Sequence, residues 1–447
     1  MSNELNTEAA GAAPRPKGER AGAAAREEST DRFLVRPGGP LAGSVQVGGA
    51  KNSVLKLMAA TVLAQGTFRI SNVPHIADVE TMADLLTSMG VDVRRNDHEL
   101  QLTCSSDLVP EAPWELVERM RASIVVLGPL LARFGRAKVA LPGGDDFGVR
   151  PIDMHLRGLE MLGATFEMNH GFIEARADRL VGTRIVLDFP SVGATENSLL
   201  AAVLAKGTTV IENAAREPEI ADLATFLNKM GAHVLGAGTS TIEVEGVDEL
   251  HAAAHKAIPD RIEALTYLAA VGIAGGEITV TGARMDHMEL VVEKLANMGM
   301  LVSSTTGGLW ARAPEKLIST DLATMPYPGI ATDYKPLLVA MLSVADGVGI
   351  VTENIYMSGR YRYTQELARM GADIRVEGHH AVVRGVPGLS GAPVRAPDLR
   401  AGAALVLAGL KAEGETIVSG ADHVDRGYEN FAGALQGLGA DVERIRA

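Results

Sequence analysis

The segment Leu227-Asn228-Lys229-Met230-Gly231-Ala232-His233-Val234-Leu235 decides the fold, because it is one of six copies of the same junction. Each copy reads Leu-x-x-Met-Gly or Leu-x-x-Leu-Gly and is followed by Ala, Val or Met. A period this regular indicates one supersecondary unit repeated six times. The six glycines are 68 to 73 residues apart, at Gly90, Gly163, Gly231, Gly299, Gly371 and Gly439.

Within each copy, an apolar helical pattern ends at the glycine and a strand pattern follows. Glycine suits this position because a residue without Cβ adopts the left-handed conformation at little cost. The chain of 447 residues is therefore predicted to be an α/β protein with six units, three in each of two domains. A strand that opens with glycine precedes each junction by 23 to 28 residues, at Gly66, Gly135, Gly207, Gly276, Gly347 and Gly414.

The composition is typical of a water-soluble protein, with 47% hydrophobic and 22% charged residues. Aromatic residues make up only 4%, so we expect cores of Ala, Val, Leu, Ile and Met. The apolar run 124–132 is interrupted by Gly128 and Pro129 and is far shorter than the roughly 20 residues that cross a bilayer. No contact with a membrane is expected.

Residues 1–30 are rich in Ala, Glu, Arg and Gly and lack the apolar segment of a secretion signal, which predicts a disordered tail and a cytoplasmic protein. The single cysteine, Cys104, argues against disulfides and Cys-based metal clusters. A net charge of −13 argues against a nucleic-acid surface, since phosphate backbones are bound through clustered Lys and Arg. An anionic small molecule would need cations concentrated in a cleft. The sequence does not indicate an oligomeric state.

Four polar or glycine-rich stretches break the repeat and are candidates for a binding site. In residues 48–53, a glycine turn beside Lys51 opens a helix that is predicted from Ser53 to Leu63, and backbone N–H groups at such a helix start suit a phosphate. A solvated helix start is the alternative. Arg121 begins a helix that ends near Gly135, and a cation there opposes the helix dipole unless an anion binds nearby. An ordinary surface arginine is the alternative.

The third stretch, residues 142–155, has three glycines together with Asp145 and Asp146, followed by Arg150 and His155. This composition is typical of a mobile lid that carries an acid and is followed by an anion clamp. A plain turn would explain the glycines but not the charged residues. The fourth stretch, residues 190–195, opens another helix with small residues. No metal is indicated, because no His, Cys or carboxylate cluster has ligand spacing, and no cofactor is expected.

Together these stretches resemble the UDP-N-acetylglucosamine 1-carboxyvinyltransferases, a family of enolpyruvyl transferases. The similarity runs in order from residue 33 to the C-terminus, and the combination is specific although no single motif is. The motifs are Gly49-Ala50-Lys51-Asn52, Arg121-Ala122-Ser123-Ile124, Arg150-Pro151-Ile152-Asp153-Met154-His155, Ser191-Val192-Gly193-Ala194-Thr195, Asn213-Ala214-Ala215-Arg216-Glu217-Pro218, Asp260-Arg261-Ile262-Glu263, Thr332-Asp333, Asp398-Leu399-Arg400 and Asp425-Arg426-Gly427-Tyr428.

The resemblance implies the two-domain enolpyruvyl transferase fold, an inside-out α/β barrel. Each domain has three repeated units, whose helices pack inside an outer ring of sheets. The chain would cross between domains near Ala50 and Pro259. Residues 31–50 with 259–447 would form a discontinuous first domain, and residues 51–258 a second domain that carries the lid loop 142–153.

The implied reaction transfers the enolpyruvyl group of phosphoenolpyruvate to the 3-hydroxyl of UDP-N-acetylglucosamine and releases phosphate. It is the first committed step of peptidoglycan precursor synthesis, and so serves cell-wall biogenesis, cell shape and cell division. The chemistry needs an acid for the methylene carbon, a base for the sugar hydroxyl and cations for the anionic groups. The residues implied in catalysis are Lys51, Asp145, Asp333, Asp398 and Arg426.

The resemblance also implies two binding sites, with Asp333 as the candidate base at the sugar and Asp398 as an aid to proton shuttling. For phosphoenolpyruvate, the implied residues are Lys51, Arg150 and Arg426 at the phosphate, Arg360 and Arg400 at the carboxylate, and Asn52. For the UDP-sugar they are Asn52, Arg121, Arg150, Pro151, Ile152, Asp153, Met154, Ser191, Val192, Gly193, Asp333 and Ile355.

Four positions depart from the family pattern. Asp145 stands where many members have a lid cysteine as proton donor, and because a carboxylate attacks epoxides poorly, resistance to fosfomycin is expected. Phe189 stands where many relatives have Lys, and Tyr327 replaces a frequent His. The segment before Arg360 is one residue longer than usual, which leaves Arg360 and Arg362 as alternatives for the carboxylate.

Two other functions remain open at this point. One is enolpyruvyl transfer to another acceptor, either shikimate 3-phosphate or a different nucleoside. The second is a silent paralogue that binds UDP-sugar without turnover. The Gly-Ala-Lys-Asn and Ser-Val-Gly-Ala-Thr motifs favour the UDP-sugar branch, and the acidic and arginine residues favour catalysis.

Overall fold

The computed structural model describes residues 30–143, 151–356 and 360–446. Six four-stranded sheets in these ranges follow one plan. In each sheet, an edge strand pairs in parallel with the strand that begins at or just after one of the strand-opening glycines, which are Gly66, Gly135, Gly207, Gly276, Gly347 and Gly414. That strand pairs antiparallel with an inner strand, which pairs antiparallel with the strand at the second edge. The inner strand and the second edge strand form a hairpin in five of the sheets, and in the sixth they come from opposite ends of the described chain. The strands are β1 Arg32–Arg36, β2 Leu41–Gln46, β3 Gly66–Ser71, β4 Asp92–Asn96, β5 Glu99–Cys104, β6 Glu111–Ala112, β7 Arg136–Ala140, β8 Thr165–Asn169, β9 Phe172–Arg176, β10 Arg184–Val186, β11 Thr208–Glu212, β12 His233–Leu235, β13 Thr241–Glu245, β14 Ala254–Lys256, β15 Gly276–Thr281, β16 Leu301–Thr305, β17 Gly308–Arg312, β18 Leu322–Ala323, β19 Val348–Thr352, β20 Asp373–Glu377, β21 His380–Arg384, β22 Pro393–Arg395, β23 Thr416–Ser419 and β24 Asp441–Ile445. In order of neighbours, the sheets are β14-β3-β5-β4, β6-β7-β9-β8, β10-β11-β13-β12, β2-β15-β17-β16, β18-β19-β21-β20 and β22-β23-β1-β24.

Eleven of the fourteen helices in the described residues are of two kinds. Helices α1, α6, α8, α10 and α12 are buried along nearly their whole length, as their Ala, Leu and Val content predicts. Helices α2, α5, α7, α9, α11 and α14 are amphipathic and end in the six repeated junctions. The helices are α1 Lys51–Ala60, α2 Ala77–Ser88, α3 Trp114–Val117, α4 Leu127–Phe134, α5 Asp153–Met161, α6 Val192–Ala202, α7 Pro218–Lys229, α8 Arg261–Ala274, α9 Glu289–Asn297, α10 Lys335–Ser343, α11 Tyr363–Arg369, α12 Leu399–Gly409, α13 Ala421–Asp425 and α14 Phe431–Gly437.

The six junctions have the conformation that the sequence predicts. All six glycines have φ between +90° and +104°, in the region that L-residues with a Cβ rarely adopt. A strand follows each of them. The repeated α/β unit and its sixfold recurrence are therefore confirmed.

Some helix boundaries differ from the expected ones. The helix predicted from Ser53 to Leu63 begins at Lys51, and its last turn, Thr61–Leu63, is a 3₁₀ helix. The helix predicted to begin at Arg121 is a 3₁₀ helix over Arg121–Val126, and α4 follows it directly. No helix within the described residues is long and apolar enough to cross a membrane.

The buried apolar residues form two separate clusters. We call the cluster from residues 33–47 and 262–442 the first core, and the cluster from residues 54–257 the second core. The chain passes between them twice, and the two passages lie side by side. Gly49 forms an antiparallel bridge with Pro259, and the N–H of Ala50 donates to the carbonyl of Ile258 at 2.7 Å. A Cβ at Gly49 would lie 1.7 Å from the carbonyl oxygen of Asn72, so only glycine fits this crossing.

Candidate functional site

A cavity of about 510 Å³ is lined by residues from both sides of the crossing. Among the described residues, its wall includes seven Lys or Arg side chains and five carboxylates, although the chain as a whole has a net charge of −13. Positive charge is therefore concentrated in the cleft, as an anionic ligand requires. The cations are Lys51, Lys56, Arg121, Arg261, Arg360, Arg400 and Arg426.

Asp78, near the start of α2, joins two of these cations. Its carboxylate is 2.8 Å from Lys51 Nζ and 2.8 Å from Arg426 Nε, and all three residues are buried. Burial opposes ionisation of Asp78, but the charges of Lys51 and Arg426 outweigh it and lower its pKa. Burial lowers the pKa of Lys51 despite the attraction of Asp78. Lys51 and Arg426 come from opposite ends of the sequence, so the ion pairs that both form with Asp78 join the two sides of the cleft.

Asp333 forms a second cluster with two arginines. Its Oδ1 is 2.8 Å from Arg360 Nη1, and its Oδ2 is 3.5 Å from Arg400 Nε. Burial opposes ionisation here too, but Arg360 and Arg400 outweigh it and hold the pKa of Asp333 well below its usual range. Asp333 is therefore an ionised carboxylate at neutral pH, and the arginines make it a weak base in this state.

Arg400 has unused hydrogen-bonding capacity. Its Nη1 is buried and has no acceptor among the residues that the structure describes. The guanidinium also lies over the ring of Tyr428, with 5.2 Å between the guanidinium carbon and the ring centroid. A planar cation held in this way is suited to an incoming carboxylate.

The structure distinguishes the two alternative arginines of the longer segment. Arg360 is buried and lines the cavity, with φ of +46°. Arg362 is exposed and stands at the N-cap of α11. Of the two, Arg360 is the one placed to face a ligand.

Asp398 is the N-cap of α12. Its Oδ1 accepts hydrogen bonds from the backbone N–H of Arg400 at 2.9 Å and of Ala401 at 3.0 Å. It lies 3.9 Å from Arg360 but is not part of the cavity wall. Its visible role is to fix the helix end that carries Arg400.

The far end of the cavity is formed by two helix starts. Pro151 and Met154 come from the start of α5, and residues 189–193 lead into α6. Arg121 Nη2 donates to the carbonyl of Pro151 at 3.1 Å, which places its guanidinium at this end. The Ser191 hydroxyl accepts a hydrogen bond from the N–H of Ala194 and caps α6. Phe189 lies on the wall where many relatives would carry a lysine.

His155 lies in the third candidate stretch but is not among the substrate-binding residues that the family resemblance implies, and it lines the cavity wall. Its Nδ1 is 2.8 Å from Asn197 Nδ2, while Asn197 Oδ1 accepts from the N–H of Gly128 at 2.9 Å. Since Oδ1 must face that N–H, Nδ2 is the donor to His155, and the imidazole proton lies on Nε2. Burial, with Arg121 and Lys56 nearby, lowers the pKa of His155 to about 3. A Cβ at Gly193 would lie 2.7 Å from the imidazole, which explains the glycine in this motif.

Lys56 and Glu196 form a second unexpected wall feature. Lys56 Nζ is 3.3 Å from Glu196 Oε1 and donates to the carbonyl of Asn52 at 3.0 Å. Burial raises the pKa of Glu196 to about 7 in spite of Lys56. These residues could not be assigned from sequence, because both lie within apolar helices that read as core.

Arg261 also lines the cavity. Its Nε is 3.0 Å from Glu219, and its Nη1 donates to the hydroxyl of Tyr334 at 3.2 Å. The guanidinium carbon is 5.4 Å from the centroid of the Tyr327 ring. Tyr327, one of the positions noted as departing from the family pattern, thus contributes a ring to the wall.

Most of the predicted site residues lie together. Ile152, Asp153 and Asp398 are outside the cavity wall, and Asp145 and Arg150 lie outside the described residues. The predicted residues that line the cavity are Lys51, Asn52, Arg121, Pro151, Met154, Ser191, Val192, Gly193, Asp333, Ile355, Arg360, Arg400 and Arg426.

Comparison with known protein families gives a match over nearly the whole chain. The family model described as EPSP synthase (3-phosphoshikimate 1-carboxyvinyltransferase) matches residues 35–435. A UDP-N-acetylglucosamine 1-carboxyvinyltransferase of Nocardia farcinica is 50% identical over 422 residues, 93% of this chain and 99% of that protein. A protein of the same name from Mycobacterium tuberculosis is 49% identical, again over 93% of this chain and 99% of that protein.

Solved structures agree with these sequence matches. The enolpyruvyl transferase NikO from Streptomyces tendae aligns with a TM-score of 0.84 and 25% identity, covering 94% of this chain and all of that one. EPSP synthase from Acinetobacter baumannii aligns with a TM-score of 0.72 and 19% identity, covering 93% of this chain and all of that one, and so shows the fold alone. The predicted fold class is confirmed.

Proposed function

Since the chain belongs to the enolpyruvyl transferase family and is about half identical, over nearly all its length, to UDP-N-acetylglucosamine 1-carboxyvinyltransferases, we propose that it catalyses their reaction. It transfers the enolpyruvyl group of phosphoenolpyruvate to the 3-hydroxyl of UDP-N-acetylglucosamine and releases phosphate. This is the first committed step of peptidoglycan precursor synthesis, which places the enzyme in the cytoplasm and connects it to cell-wall biogenesis, shape and division.

One observation carries the proposal. The cavity wall holds two carboxylates, Asp78 and Asp333, each clamped by two cations. A small molecule with a phosphate at one end and a carboxylate at the other offers both pairs of cations an anionic partner. Phosphoenolpyruvate has this arrangement of charges.

The phosphate of phosphoenolpyruvate is assigned to Lys51 and Arg426, with Arg150 as a third cation from the lid. The two described cations already converge on Asp78, which holds them in position before the ligand arrives. The carboxylate is assigned to Arg360 and Arg400. Arg400 has a buried N–H without a described acceptor, and a carboxylate can accept it.

Asp333 is assigned as the base for the sugar hydroxyl. In the structure, its basicity is suppressed by the two arginines that flank it. When the substrate carboxylate takes over the hydrogen bonds of Arg360 and Arg400, less positive charge remains available to Asp333, and its pKa rises. Binding of phosphoenolpyruvate thereby prepares the base for the second substrate.

The UDP moiety is assigned to the far end of the cavity. Arg121 and Arg150 supply charge for the diphosphate, and the start of α6 at Ser191, Val192 and Gly193 supplies helix-dipole stabilisation. The segment 150–154, Asn52 and Ile355 complete the pocket for uridine and sugar. Asp398 is assigned an indirect part in proton shuttling. It caps the helix end that carries Arg400, and it lies 3.9 Å from Arg360.

Asp145 is assigned as the acid that protonates the methylene carbon. A carboxyl group must be protonated for this role, and enclosure by the lid beside Asp146 would raise its pKa from the usual value near 3.9. We expect Asp145→Asn to lower kcat roughly 100-fold or more, since a positioned acid contributes about that much. Asp146→Asn is the matched control. Full turnover by Asp145→Asn would remove Asp145 from the mechanism.

The same residue underlies a proposed resistance to fosfomycin. A carboxylate is a weaker nucleophile than a thiolate toward the epoxide, so the drug should not alkylate the lid. We expect turnover to persist at drug concentrations that inactivate an Asp145→Cys variant. An adduct on Asp145 in the mass spectrum, with loss of activity, would contradict this.

The decisive assay measures phosphate release by the pure protein with phosphoenolpyruvate and UDP-N-acetylglucosamine. We expect release to depend on both substrates. Release with shikimate 3-phosphate instead would assign the chain to the other branch of the family. Release with neither acceptor, despite tight UDP-sugar binding, would identify a silent paralogue.

A further inference from the structure

An ion pair that the proposed mechanism does not use lies in the cavity wall. Lys56 of α1 and Glu196 of α6 both line the cavity, with side chains that are 10% and 2% exposed. Lys56 Nζ is 3.3 Å from Glu196 Oε1, but the contact lacks hydrogen-bond geometry, and Oε1 has no hydrogen-bond partner among the described residues. Two buried charged groups therefore border the cavity with hydrogen-bonding capacity that these residues leave unused.

Lys56 has N–H groups that a ligand can use. An ammonium group carries three N–H donors, and the one acceptor with hydrogen-bond geometry in the described part of the chain is the carbonyl of Asn52, at 3.0 Å. A second N–H is available for the ion pair with Glu196. The third has no acceptor in residues 30–143, 151–356 or 360–446, and an unpaired donor in a buried site costs free energy. An acceptor atom on the ligand would satisfy it.

The charges near Lys56 favour an uncharged acceptor. Glu196 offsets the lysine charge, and Glu217 and Glu219, which also line the cavity, add negative charge that acts on Glu196. A phosphate would therefore gain little from Lys56 and is better met by the arginines of the cavity. A carbonyl oxygen accepts an N–H without bringing further negative charge. The pair is thus suited to an amide carbonyl.

The pair lies between the positions assigned to the sugar and to the diphosphate. Asn52, assigned to the sugar, is about one helical turn before Lys56 on α1. Val192, at the helix start assigned to the diphosphate, is about one turn before Glu196 on α6. The charge of Lys56 also lowers the pKa of His155 on α5, so its ammonium lies where α1, α5 and α6 meet. A ligand group at this place is a substituent of the sugar.

We propose that Lys56 donates a hydrogen bond to the acetamido carbonyl of the UDP-sugar, with Glu196 as the positioning residue that holds the lysine in the wall. The inference rests on the proposed function, because it takes UDP-N-acetylglucosamine as the acceptor substrate. The acetamido carbonyl is an uncharged acceptor, and it is carried on the carbon next to the 3-hydroxyl that reacts. UDP-glucose has a hydroxyl in its place, so the lysine would select the amino sugar.

The competing explanation is an ion pair that only links α1 to α6. Such a pair would affect every ligand of the cavity equally, since it would act through the shape of the wall. A hydrogen bond to the acetamido carbonyl affects only ligands that carry this group. Ligand selectivity therefore separates the two explanations.

Calorimetry on the full-length protein with UDP, UDP-glucose and UDP-N-acetylglucosamine tests the assignment. The titrations are made at pH 8, above the pKa of about 7 to which burial raises Glu196, so that the ion pair is intact. We expect Lys56→Met to weaken binding of UDP-N-acetylglucosamine about tenfold or more, and to change the other two affinities less than about threefold. Lys206→Met is the matched control, because Lys206 is an exposed lysine beyond the end of α6.

Two further variants separate the lysine from its partner. Glu196→Gln keeps the donor, so it should weaken binding of UDP-N-acetylglucosamine less than Lys56→Met does. The double variant Lys56→Met with Glu196→Gln leaves no buried carboxylate without its cation, and it therefore tests the lysine even where Lys56→Met alone disturbs the fold. We expect the double variant to bind UDP as the wild type does and to lose the preference for the acetamido sugar.

Three results in the double variant would overturn the inference. They are an unchanged affinity for UDP-N-acetylglucosamine, an equal loss for all three ligands, and an equal loss for the two sugar nucleotides, which would indicate a hydroxyl contact. Each of them leaves enolpyruvyl transfer intact. Conversely, a wild type that releases no phosphate but prefers UDP-N-acetylglucosamine through Lys56 would refute the proposed function and retain this assignment.

Discussion

At the scale of single residues, the most consequential side chain is Asp78. It is the counter-ion of Lys51 and Arg426, and both cations are buried. We expect Asp78→Asn to lower the free energy of unfolding by about 3 kcal/mol, because breaking a buried ion pair leaves charges without compensation. Urea unfolding in a buffer without multivalent anions measures the loss.

Phosphate provides the specific test of this cluster. A phosphate ion can replace the missing carboxylate, so millimolar phosphate should stabilise Asp78→Asn more than the wild type at equal ionic strength. Asp84→Asn, an exposed position on the same helix, is the control and should behave like the wild type. An equal response of all three proteins would show that Asp78 does not act as a stand-in for the ligand.

Asn197 should control the protonation of His155. Its amide donates to Nδ1. Burial, with Arg121 and Lys56 nearby, lowers the pKa of His155 to about 3. Asn197→Asp replaces the donor with a carboxylate, which favours a protonated Nδ1, so the pKa of His155 should rise by roughly 2 units or more. Histidine NMR resonances followed against pH measure this.

The His287 resonance in the same spectra is an internal control. Burial lowers the pKa of His287 as well, and His287 has no contact with Asn197 among the bonds described. An unchanged titration of His155 in the variant would disprove the tautomer assignment.

Sequence reasoning found the cations that line the cavity but not the groups that organise them. Lys51, Arg360, Arg400 and Arg426 stand in recognisable motifs, and the structure brings them to one cavity. Asp78, by contrast, sits on an ordinary amphipathic helix and reads as a surface carboxylate. Its role depends on a partner 348 positions away in the chain, and such a pairing leaves no local pattern.

At the scale of elements, helices α4 and α6 approach each other more closely than their sequences suggest. A Cβ at Gly128 of α4 would lie 2.5 Å from the carbonyl oxygen of Asn197 in α6. We expect Gly128→Ala to force the helices apart and to lower the free energy of unfolding by about 1–3 kcal/mol. Urea denaturation provides the measurement.

Gly437 is the matched control for that substitution. It is the last residue of α14, and nothing lies within 4 Å of the position that its Cβ would occupy. Gly437→Ala should therefore stabilise the protein by about 0.5–1 kcal/mol through the lower entropy of the unfolded chain. Equal effects at both positions would mean that the close approach of α4 and α6 carries no energetic weight.

Helix ends were predictable where the stop signal is local. The six junction glycines set the ends of the amphipathic helices, and each adopts the expected positive φ. The start of α1 was placed two residues too late because its cap is remote. Asp260 accepts a hydrogen bond from the N–H of Lys51 at 3.1 Å, across the crossing between the cores. The two-residue strands β6 and β18 have no sequence signal of their own.

At the scale of the whole molecule, we propose that the two cores are two domains with boundaries near residues 50 and 259. The cleft between them holds the cavity, so the domains can close on a ligand and exclude water. The sixfold repeat was evident from sequence, but the closure of the sixth sheet was not. The N-terminal strand β1 completes that sheet between β23 and β24, and nothing local in β1 identifies its partners.

The stability of the whole molecule should depend on Glu263 at the crossing. Its carboxyl accepts from the N–H of Gly48 at 2.9 Å and from the Tyr267 hydroxyl at 3.0 Å, and burial raises its pKa to about 7. The folded protein therefore retains this proton more tightly than the unfolded chain. The resulting stability is present below pH 4.5 and is lost as the pH rises through 7.

For Glu263 this loss is on the order of 3 kcal/mol. Glu263→Gln carries no titrating group, so its free energy of unfolding should fall less than that of the wild type between pH 5 and pH 8. Urea unfolding at several pH values measures the difference. Glu243→Gln, at an exposed strand position, should retain the wild-type pH profile. A parallel profile for Glu263→Gln would rule out this carboxyl as the source.

The bridge between Gly49 and Pro259 has a consequence for how the gene can be rearranged. The segment 51–258 departs from and rejoins the rest of the polypeptide at a single point, which is the topology of an insertion. The N- and C-terminal strands β1 and β24 are also neighbours. Both pairs of ends meet, so circular permutants that open at the bridge and join the old termini retain every strand pairing except that bridge.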